Sequence, residues 1–125
     1  MARVRLHIHL DGEHTLGPGK VQLLEGVRDH GSISAAARAM EMAYRHAWEL
    51  IDDLNAGFGR PVIETASGGR AGGGARLTTF GEELVRRFRA MEAATERAIA
   101  RDLRALDPPV ARASKRRSGS ATKSR

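Results

Sequence analysis

The side chains best suited to chemistry in this chain are spaced for contact with a phosphate backbone and with bases. Tyr44, Arg45 and His46 follow one another at the start of a predicted helix, and we call them the reading residues. A guanidinium donates two hydrogen bonds to one guanine, while tyrosine and histidine reach phosphates or base edges. These three residues therefore predict a surface that binds double-stranded DNA.

A second candidate is the glycine-rich segment SGGRAGGGAR over residues 67–76, which contains Arg70 and Arg76 but no acid. A nucleotide-binding P-loop needs a lysine after its glycines, and none follows here. Strand-like segments at 62–65 and 76–78 favour a β-hairpin, with a flexible linker as the alternative. Because glycines let backbone N–H groups approach phosphate, we predict a wing that contacts the DNA backbone.

Three histidines near the N-terminus form a candidate metal or oxyanion site. A strand is predicted over residues 3–10, where apolar residues alternate with Arg5, His7 and His9, so that His7 and His9 share its polar face, and His14 follows closely. No acid or cysteine completes a recognisable ligand set, so solvent-facing histidines are the favoured interpretation. No nucleophile–base pair or cofactor loop is recognisable either. The sequence therefore predicts a protein that is not an enzyme and uses no cofactor or metal.

Two short helices must position the reading residues. Before them a helix is predicted from the loop at residues 17–19 to about residue 30, and Gly31 suits the left-handed position that ends it. Ala36 and Ala37 belong to a short predicted helix, opened by Ser34 as its N-cap, whose small side chains let another helix approach. After a tight turn, a helix with one apolar face is predicted from about 43 to 57. Together they predict a helix-turn-helix over 32–54, whose second helix enters the major groove. An ordinary helical hairpin is the alternative.

A long C-terminal helix is predicted from a Thr79–Glu82 capping box to about Leu106. Its apolar residues recur every three or four positions, and the stripe is longer than a small domain can cover. The excess predicts pairing with a second copy of the chain. The predicted dimerisation residues are Leu84, Phe88, Met91, Ile99 and Leu103.

Composition and charge limit the possible functions. The 125 residues are 41% hydrophobic and 29% charged, and the absence of cysteine excludes disulfides and thiolate metal sites. No apolar run approaches the ~20 residues that span a bilayer, so a cytoplasmic protein is expected. The net charge of +6 equals the number of basic residues after Pro109, so the rest of the chain is neutral. DNA binding by a folded body must therefore depend on a local patch.

The helix-turn-helix and the glycine-rich segment together resemble a known family. The run GSISAAARAMEMAYRHAWELIDDLN, followed by ETASGGRAGGGARLTTFGEEL, looks like the N-terminal DNA-binding domain of the ModE-type molybdate-responsive regulators. That domain is similar to the winged helix of LysR-type regulators, and the resemblance covers about residues 6–91. It implies an N-terminal strand, a wing and a long dimerisation helix, with the reading residues at the DNA groove and Arg70 in the wing.

Three features depart from the family pattern. The turn commonly carries glycine where this chain has Glu41, so a strained backbone is expected there. A serine N-cap is replaced by Ala43, which forgoes a cap worth ~1 kcal/mol. ModE-type proteins also carry C-terminal molybdate-binding domains, and too few residues follow the long helix to form one. Molybdate sensing is therefore not carried over, and two alternatives stay open: a stand-alone DNA-binding protein, or one that depends on a separate effector or sensor partner.

The predicted fold is mainly α with a small β component: a winged helix-turn-helix over 1–107, with its dimerisation helix at about 79–106 and a disordered basic tail at 108–125. Besides the reading residues, the predicted DNA contacts are Ser34, Arg38, Trp48, Arg60, Arg70 and Arg76. The predicted function is a homodimeric, nucleoid-associated transcription regulator of a palindrome-like site, linked to molybdenum through the resemblance. The alternatives are a non-specific architectural DNA-binding protein and a metal- or oxyanion-binding protein.

Overall fold

The computed structural model describes residues 2–66 and 74–107. In this part of the chain the helices are α1 (Pro18–His30), α2 (Ile33–Ala39), α3 (Tyr44–Phe58), α4 (Thr79–Ala98) and α5 (Ala100–Leu106). The strands are β1 (Ile8–His9), β2 (Thr15–Leu16), β3 (Ile63–Thr65) and β4 (Ala75–Leu77). This order confirms the predicted fold class, a mainly α winged helix-turn-helix. The predicted wing tip with Arg70, and the predicted tail, lie outside the described residues.

The chain divides into two compact units. One is Arg5–Met91, which contains the helix-turn-helix and both hairpins. The other combines Met1–Val4 with Glu92–Arg125, and its described residues are 2–4 and 92–107. The core of the Arg5–Met91 unit is apolar, and no buried polar or charged residue occurs in the described ranges. Burial of aliphatic side chains therefore supplies its main stabilisation.

Helix α1 forms the base against which α2 packs. Val21 and Val27 are fully buried on the inner face of α1. Gly26 lies so close to α2 that an added Cβ would come within 3.0 Å of the Ala36 Cβ. Gly31 ends α1 with a φ of 78°, a left-handed conformation that glycine adopts without a steric penalty. The predicted end of this helix is therefore confirmed.

The N-caps of two helices differ from the sequence prediction. Ser32, rather than Ser34, caps α2, because its Oγ accepts a hydrogen bond from the Ala35 N–H at 3.0 Å. Thr78, rather than Thr79, caps α4, because its Oγ1 accepts a hydrogen bond from the Gly81 N–H at 2.9 Å. In both places two hydroxyl residues stand close together in the sequence. Local pattern cannot choose between such candidates, and the packed backbone does.

The N-terminal hairpin is shorter than the strand predicted over residues 3–10. Strand β1 has two residues and pairs antiparallel with β2, in a register that places His9 opposite Thr15. The predicted alternation is nevertheless present, with Leu6, Ile8 and Leu10 half-buried and Arg5, His7 and His9 exposed. Strand β2 was not predicted because two residues carry no period-2 signal.

An ion pair joins α4 to α1. Arg89 Nε donates to Oε2 of Glu25 at 2.9 Å, and Arg89 Nη2 donates to Oε1 at 2.8 Å. This hydrogen-bonded guanidinium lowers the pKa of the Glu25 carboxyl. Leu84 and Phe88 are buried on the same helix. The first half of α4 therefore belongs to the core of the Arg5–Met91 unit.

The long helix predicted over about 79–106 is divided at Ile99, where α4 gives way to α5. Ile99 has φ −110° and ψ 12°, outside the ordinary helical region. Its N–H still donates to the Thr95 carbonyl at 3.1 Å, and its own carbonyl accepts from the Leu103 N–H at 2.9 Å. The break is therefore local, and helical hydrogen bonding continues on both sides of it.

Candidate nucleic-acid interface

Helix α3 carries the reading residues on its first turn. Tyr44 is 55% exposed, and Arg45 and His46 are exposed as well. His46 Nδ1 lies 3.3 Å from Oε1 of Glu49. Arg45 makes no ion pair with any residue that the structure describes. The first turn of α3 therefore presents a cation that no carboxylate within the described chain neutralises.

The turn between α2 and α3 sets where the reading residues lie. Glu41 has a φ of 57°, a left-handed conformation that costs a non-glycine residue roughly 1–2 kcal/mol. The Met42 N–H donates to the Ala37 carbonyl at 2.9 Å and closes the turn. Ala43 occupies the N-cap position of α3 without a side-chain hydrogen bond. The strained turn and the missing cap expected from the sequence are therefore both confirmed.

Three buried alanines hold α3 against the rest of the fold: Ala36, Ala37 and Ala47. Ile51 and Leu54 continue the buried face of α3 toward its C-terminus. Because alanine side chains are small, the backbones of α2 and α3 approach closely at this crossing. The reading residues therefore lie on a firmly supported helix.

A groove of about 260 Å³ lies beside the first turn of α3. Strands β3 and β4, which we call the wing stem, form its other side. Ser34, Tyr44 and Trp48, all predicted DNA contacts, line this groove together. Ser32 and Thr65 line it too and were missed, because no sequence motif distinguishes them from other hydroxyl residues. The rings of Tyr44 and Trp48 meet edge to face, with centroids 6.5 Å apart.

The wing stem carries a cross-strand ion pair and is tied to the end of α1. Glu64 lies opposite Arg76, and the Arg76 Nε donates to the Glu64 Oε1 at 3.1 Å. Both side chains are exposed, so this pair contributes little stability and leaves the guanidinium accessible to a phosphate. The Ala75 N–H donates to the Gly31 carbonyl at 2.9 Å. Arg70 lies outside the described residues.

The remaining predicted contacts lie at different ends of α3. Arg38 Nη1 is 3.4 Å from the Ser34 hydroxyl, on the side of the first turn. Arg60 follows the C-terminus of α3, with its guanidinium 4.2 Å from the centre of the Phe80 ring. The 15 residues of α3 separate its two ends by ~22 Å. The structure thus places Arg38 beside Ser34, which shares the groove with Tyr44, and places Arg60 at the opposite end of α3 from Tyr44.

A charged cluster that was not predicted joins the N-terminal hairpin to the second half of α3. Lys20 Nζ donates to the Asp53 carboxylate, and also to the Thr15 carbonyl at 2.7 Å. His14 Nδ1 lies 2.8 Å from Asp11 Oδ2, and its Nε2 lies 3.9 Å from Asp53 Oδ1. The hydrogen bond between His14 and Asp11 lowers the pKa of the Asp11 carboxyl to about 2 and raises the pKa of the His14 imidazole. The charges in this cluster are therefore paired within the chain.

The candidate histidine site is not assembled. The His7 ring packs on Gly17, where an added Cβ would lie 2.6 Å from the His7 Nδ1. His9 lies opposite Thr15 in the hairpin, and His14 is bound to Asp11. Across residues 2–66 and 74–107, no three His, Cys, Asp or Glu side chains are grouped to hold a metal ion.

The predicted dimerisation residues fall into two groups. Leu84 and Phe88 are 6% and 0% exposed in the core, so they offer no surface to a second copy. Met91 is 40% exposed, and Ile99 and Leu103 are half-buried. The accessible apolar surface thus lies in the later part of the stripe. Among the described helices, none has both the length and the apolar character to cross a membrane.

Comparison with known proteins identifies the same architecture. The sequence model for bacterial regulatory helix-turn-helix proteins of the LysR family matches residues 19–82. That range runs from α1 through the reading residues and the wing stem into the first turn of α4.

Several curated relatives share the matched region. The chain is 37% identical over 94 residues to the molybdenum-pterin-binding protein MopA of Rhodobacter capsulatus, covering 75% of this chain and 36% of MopA. It is 34% identical over 97 residues to the molybdenum transport protein ModE of Azotobacter vinelandii, covering 78% of this chain and 36% of that protein. It is 32% identical over 87 residues to the DNA-binding transcriptional dual regulator ModE of Escherichia coli strain K12, covering 70% of this chain and 33% of that protein.

The chain thus spans about a third of the length of these curated relatives. The matches confirm the resemblance to ModE-type proteins that the helix-turn-helix and wing sequences indicated. The family model covers α3, the turn that precedes it and the wing stem, which together form the candidate interface. The chain belongs to the LysR family of bacterial regulatory helix-turn-helix proteins.

Proposed function

We propose that the protein is a sequence-specific DNA-binding transcription regulator. The observation that carries this proposal is the exposed Arg45, which pairs with no described carboxylate, beside Tyr44 on the first turn of a helix held by buried alanines. A recognition helix needs rigid support behind it and polar side chains without internal partners in front. The regulators among the relatives point in the same direction, to a DNA-binding protein rather than an enzyme.

The reading residues supply the base contacts in this proposal. The first turn of α3 enters the major groove, which is about 12 Å wide. Arg45 then donates two hydrogen bonds to a guanine, while Tyr44 and His46 contact phosphates or neighbouring base edges. Arg38, whose Nη1 lies 3.4 Å from the Ser34 hydroxyl, adds positive charge toward the backbone in this proposal.

The wing stem supplies phosphate contacts. Arg76 is exposed, and its one ion-pair partner among the described residues is the exposed Glu64, so a phosphate can take the place of that carboxylate. Arg70 is proposed to act in the same way from the wing. Such contacts release counterions from the DNA, and binding should therefore weaken steeply with added salt.

Homodimerisation is a further part of the proposal. The apolar stripe continues past the core to Met91, Ile99, Leu103 and Leu106, and Leu106 is 72% exposed. A second copy covering these positions would place two reading helices on a palindrome-like site. Sedimentation equilibrium tests this: the wild-type chain should be a dimer at micromolar concentration, and Leu103→Lys should be monomeric. A wild-type monomer would contradict the dimer without affecting DNA recognition.

The names of the relatives suggest the regulated process. Two of them are named for molybdenum binding or transport, and on this basis we propose that the regulated genes serve molybdenum metabolism. Sensing of the effector by a separate partner is part of this proposal. Because the ligand is chromosomal DNA, we place the protein in the cytoplasm, at the nucleoid.

Selection from a pool of randomised duplexes tests the proposed function directly. The expected result is enrichment of one palindrome-like sequence, bound with a steep salt dependence. Equal retention of all sequences at moderate salt would contradict specific regulation and favour an architectural protein. Removing the residues after Pro109 separates the two further, since a regulator keeps its site preference and an architectural protein loses most of its binding.

Calorimetry with molybdate, tungstate and divalent metal ions tests the remaining alternative. The structure does not group His7, His9 and His14 into a ligand set, so no saturable heat is expected. Saturable binding that disappears in a His7→Ala, His9→Ala double variant would favour a metal- or oxyanion-binding protein.

A further inference from the structure

We infer that the groove between the first turn of α3 and the wing stem holds one phosphate of the DNA backbone through uncharged hydrogen-bond donors. The inference rests on the proposed function, because it names the part of the DNA that occupies this groove. Side chains from three elements line it: Ser32 and Ser34 beside α2, Tyr44 and Trp48 on α3, and Thr65 on β3.

Three of these side chains carry donors that have no partner in the described chain. They are the Tyr44 hydroxyl, the Trp48 indole N–H and the Thr65 hydroxyl. A tryptophan N–H that is removed from bulk water usually finds an acceptor. Trp48 is half-buried and packs against the core, yet none of the described residues accepts its hydrogen bond. Since indole nitrogen only donates, a ligand group that meets it in the groove must be an acceptor.

The two serines add donors to the same groove. Ser32 Oγ accepts the capping hydrogen bond from the Ala35 N–H at 3.0 Å, and Ser34 Oγ lies 3.4 Å from Arg38 Nη1. A hydroxyl that accepts one hydrogen bond still has its own proton to donate. Both serines can therefore donate to a ligand in the groove while they keep their structural contacts.

The chemistry of the lining favours a phosphate over a base. No carboxylate is among the groove residues that the structure describes. Phosphate oxygens only accept hydrogen bonds, whereas base edges present both donors and acceptors. The volume of about 260 Å³ also falls below the range of about 300–1,000 Å³ that encloses small-molecule ligands. A backbone segment that crosses the groove fits this space better than an enclosed ligand.

Uncharged donors predict a characteristic salt response. A lysine or arginine that meets a phosphate releases counterions and steepens the dependence of affinity on salt. A hydroxyl or indole donor adds binding energy without adding charge. The groove residues should therefore change the affinity at every salt concentration alike, whereas Arg45 should change the slope.

Thr65→Val and Tyr44→Phe test the inference, because each removes one hydroxyl with little change of shape. Binding of the 125-residue chain to a fluorescein-labelled duplex of one arbitrary sequence is measured by anisotropy across a series of KCl concentrations. Each variant should bind about 5- to 20-fold more weakly, with an unchanged slope of log K against log salt. Arg45→Gln should lower the slope by about 1. Thr79→Val, at the exposed start of α4, is the matched control and should bind like wild type.

Trp48 is the only tryptophan of the chain, so its indole N–H gives a single NMR signal from inside the groove. That signal should shift when the duplex is added, and it should shift less in Thr65→Val.

Two results would show that the inference is wrong while the proposed function stands. In one, the duplex binds and both variants match wild type; in the other, the variants bind more weakly only because their slope of log K against log salt changes. If the wild-type chain binds no duplex at low salt, both fail. A saturable shift with inorganic phosphate alone, at constant ionic strength, would overturn the inference in favour of a free-anion site.

Discussion

The two ends of helix α3 differ in how their charges are satisfied. At the first turn, Arg45 has no carboxylate partner among the described residues, and the Tyr44 hydroxyl donates to none of them. In the second half, Asp53 is bound by Lys20, and Arg60, just beyond the helix, stacks on an aromatic ring. A charge satisfied inside the chain supports the fold, whereas an unsatisfied one in water is available to a ligand. The presence or absence of a partner within the described chain, and not charge alone, therefore distinguishes the supporting end of α3 from its proposed binding end.

This difference matters because the chain before its basic tail is neutral. Net charge cannot draw such a body to DNA, so binding depends on where unpaired cations lie. Several carboxylates of the Arg5–Met91 unit are bound by basic side chains: Glu25 by Arg89, Asp53 by Lys20 and Asp11 by His14. These three carboxylates therefore have cationic partners within the unit. The following variants test this division, from the largest expected effect to the smallest.

Gly81→Ala should produce the largest effect, on the supporting side. An added Cβ would lie 2.2 Å from the Val62 carbonyl oxygen, a backbone atom that cannot move aside as a side chain does. We expect a loss of about 3 kcal/mol in the free energy of unfolding, measured by urea denaturation. Gly19→Ala on α1 is the control, because nothing lies within 4 Å of its added Cβ. Equal stability of the two variants would show that α4 is not tightly seated on the wing stem.

Arg45→Gln should act on binding and leave stability almost unchanged. We expect about 1–3 kcal/mol less specific DNA affinity, and less than about 0.5 kcal/mol change in the free energy of unfolding. Arg60→Gln is the matched comparison, because its guanidinium is held 4.2 Å above the Phe80 ring. Its effect on affinity should be smaller. If both variants weaken DNA binding equally in anisotropy titrations, partner status does not distinguish the two ends.

Glu25→Gln should destabilise the fold without affecting affinity per folded molecule. The Arg89 pair is hydrogen-bonded at two points but partly exposed, so after solvent screening we expect about 1 kcal/mol. Because the pKa of Glu25 is lowered, this stabilisation is present above the ordinary value of 4.5 and is lost as the pH falls through the lowered pKa. The urea midpoints of variant and wild type should therefore converge in acid. Glu83→Gln, in an exposed pair with Arg87, should cost less.

Ala43→Ser should stabilise the binding end. Ala43 makes no side-chain capping bond, and a serine there would accept one from the first turn of α3. The expected gain is about 0.5–1 kcal/mol in thermal or urea unfolding. Ala90→Ser, at an exposed position within α4, should be neutral or slightly destabilising. A loss of stability in Ala43→Ser would mean that the strained turn leaves no room for a cap.

His14→Gln should give the smallest effect, visible as a change in pH dependence. The Asp11 hydrogen bond raises the pKa of His14, so the stabilisation by its charged form is complete below the unfolded value of 6.5. It is lost as the pH rises through the raised pKa. The urea midpoint of wild type should therefore fall in mildly alkaline buffer, and that of the variant should not. A flat wild-type profile would contradict the role of His14.

The parts of the fold that the sequence predicted depend on local pattern. Helical periodicity identified α1 and α3, and glycine chemistry placed the end of α1 at Gly31. The strain at Glu41 and the missing cap at Ala43 followed from single residue types. The cap at Ser32, strand β2 and the division at Ile99 depend on how the packed backbone settles, and no local signal carried them.

The candidate site was predictable to the same extent. Placement of Tyr44 and Arg45 on an exposed first turn followed from the helix-turn-helix pattern, and their roles toward DNA stay predictions. The pair of Lys20 with Asp53 was not predictable, because 33 residues separate the two in the chain. Thr65 was missed for a similar reason, since only the folded wing stem brings its hydroxyl beside α3.

The hydrogen bond from the Ala75 N–H to the Gly31 carbonyl has a consequence for how such regulators diverge. It uses main-chain atoms only, so side-chain substitutions in the wing or on the reading face leave it in place. Gene duplicates are therefore free to exchange their base-contacting residues while inheriting the same spacing between helix and wing. New operator preferences are then reached one side chain at a time, without the scaffold having to be rebuilt.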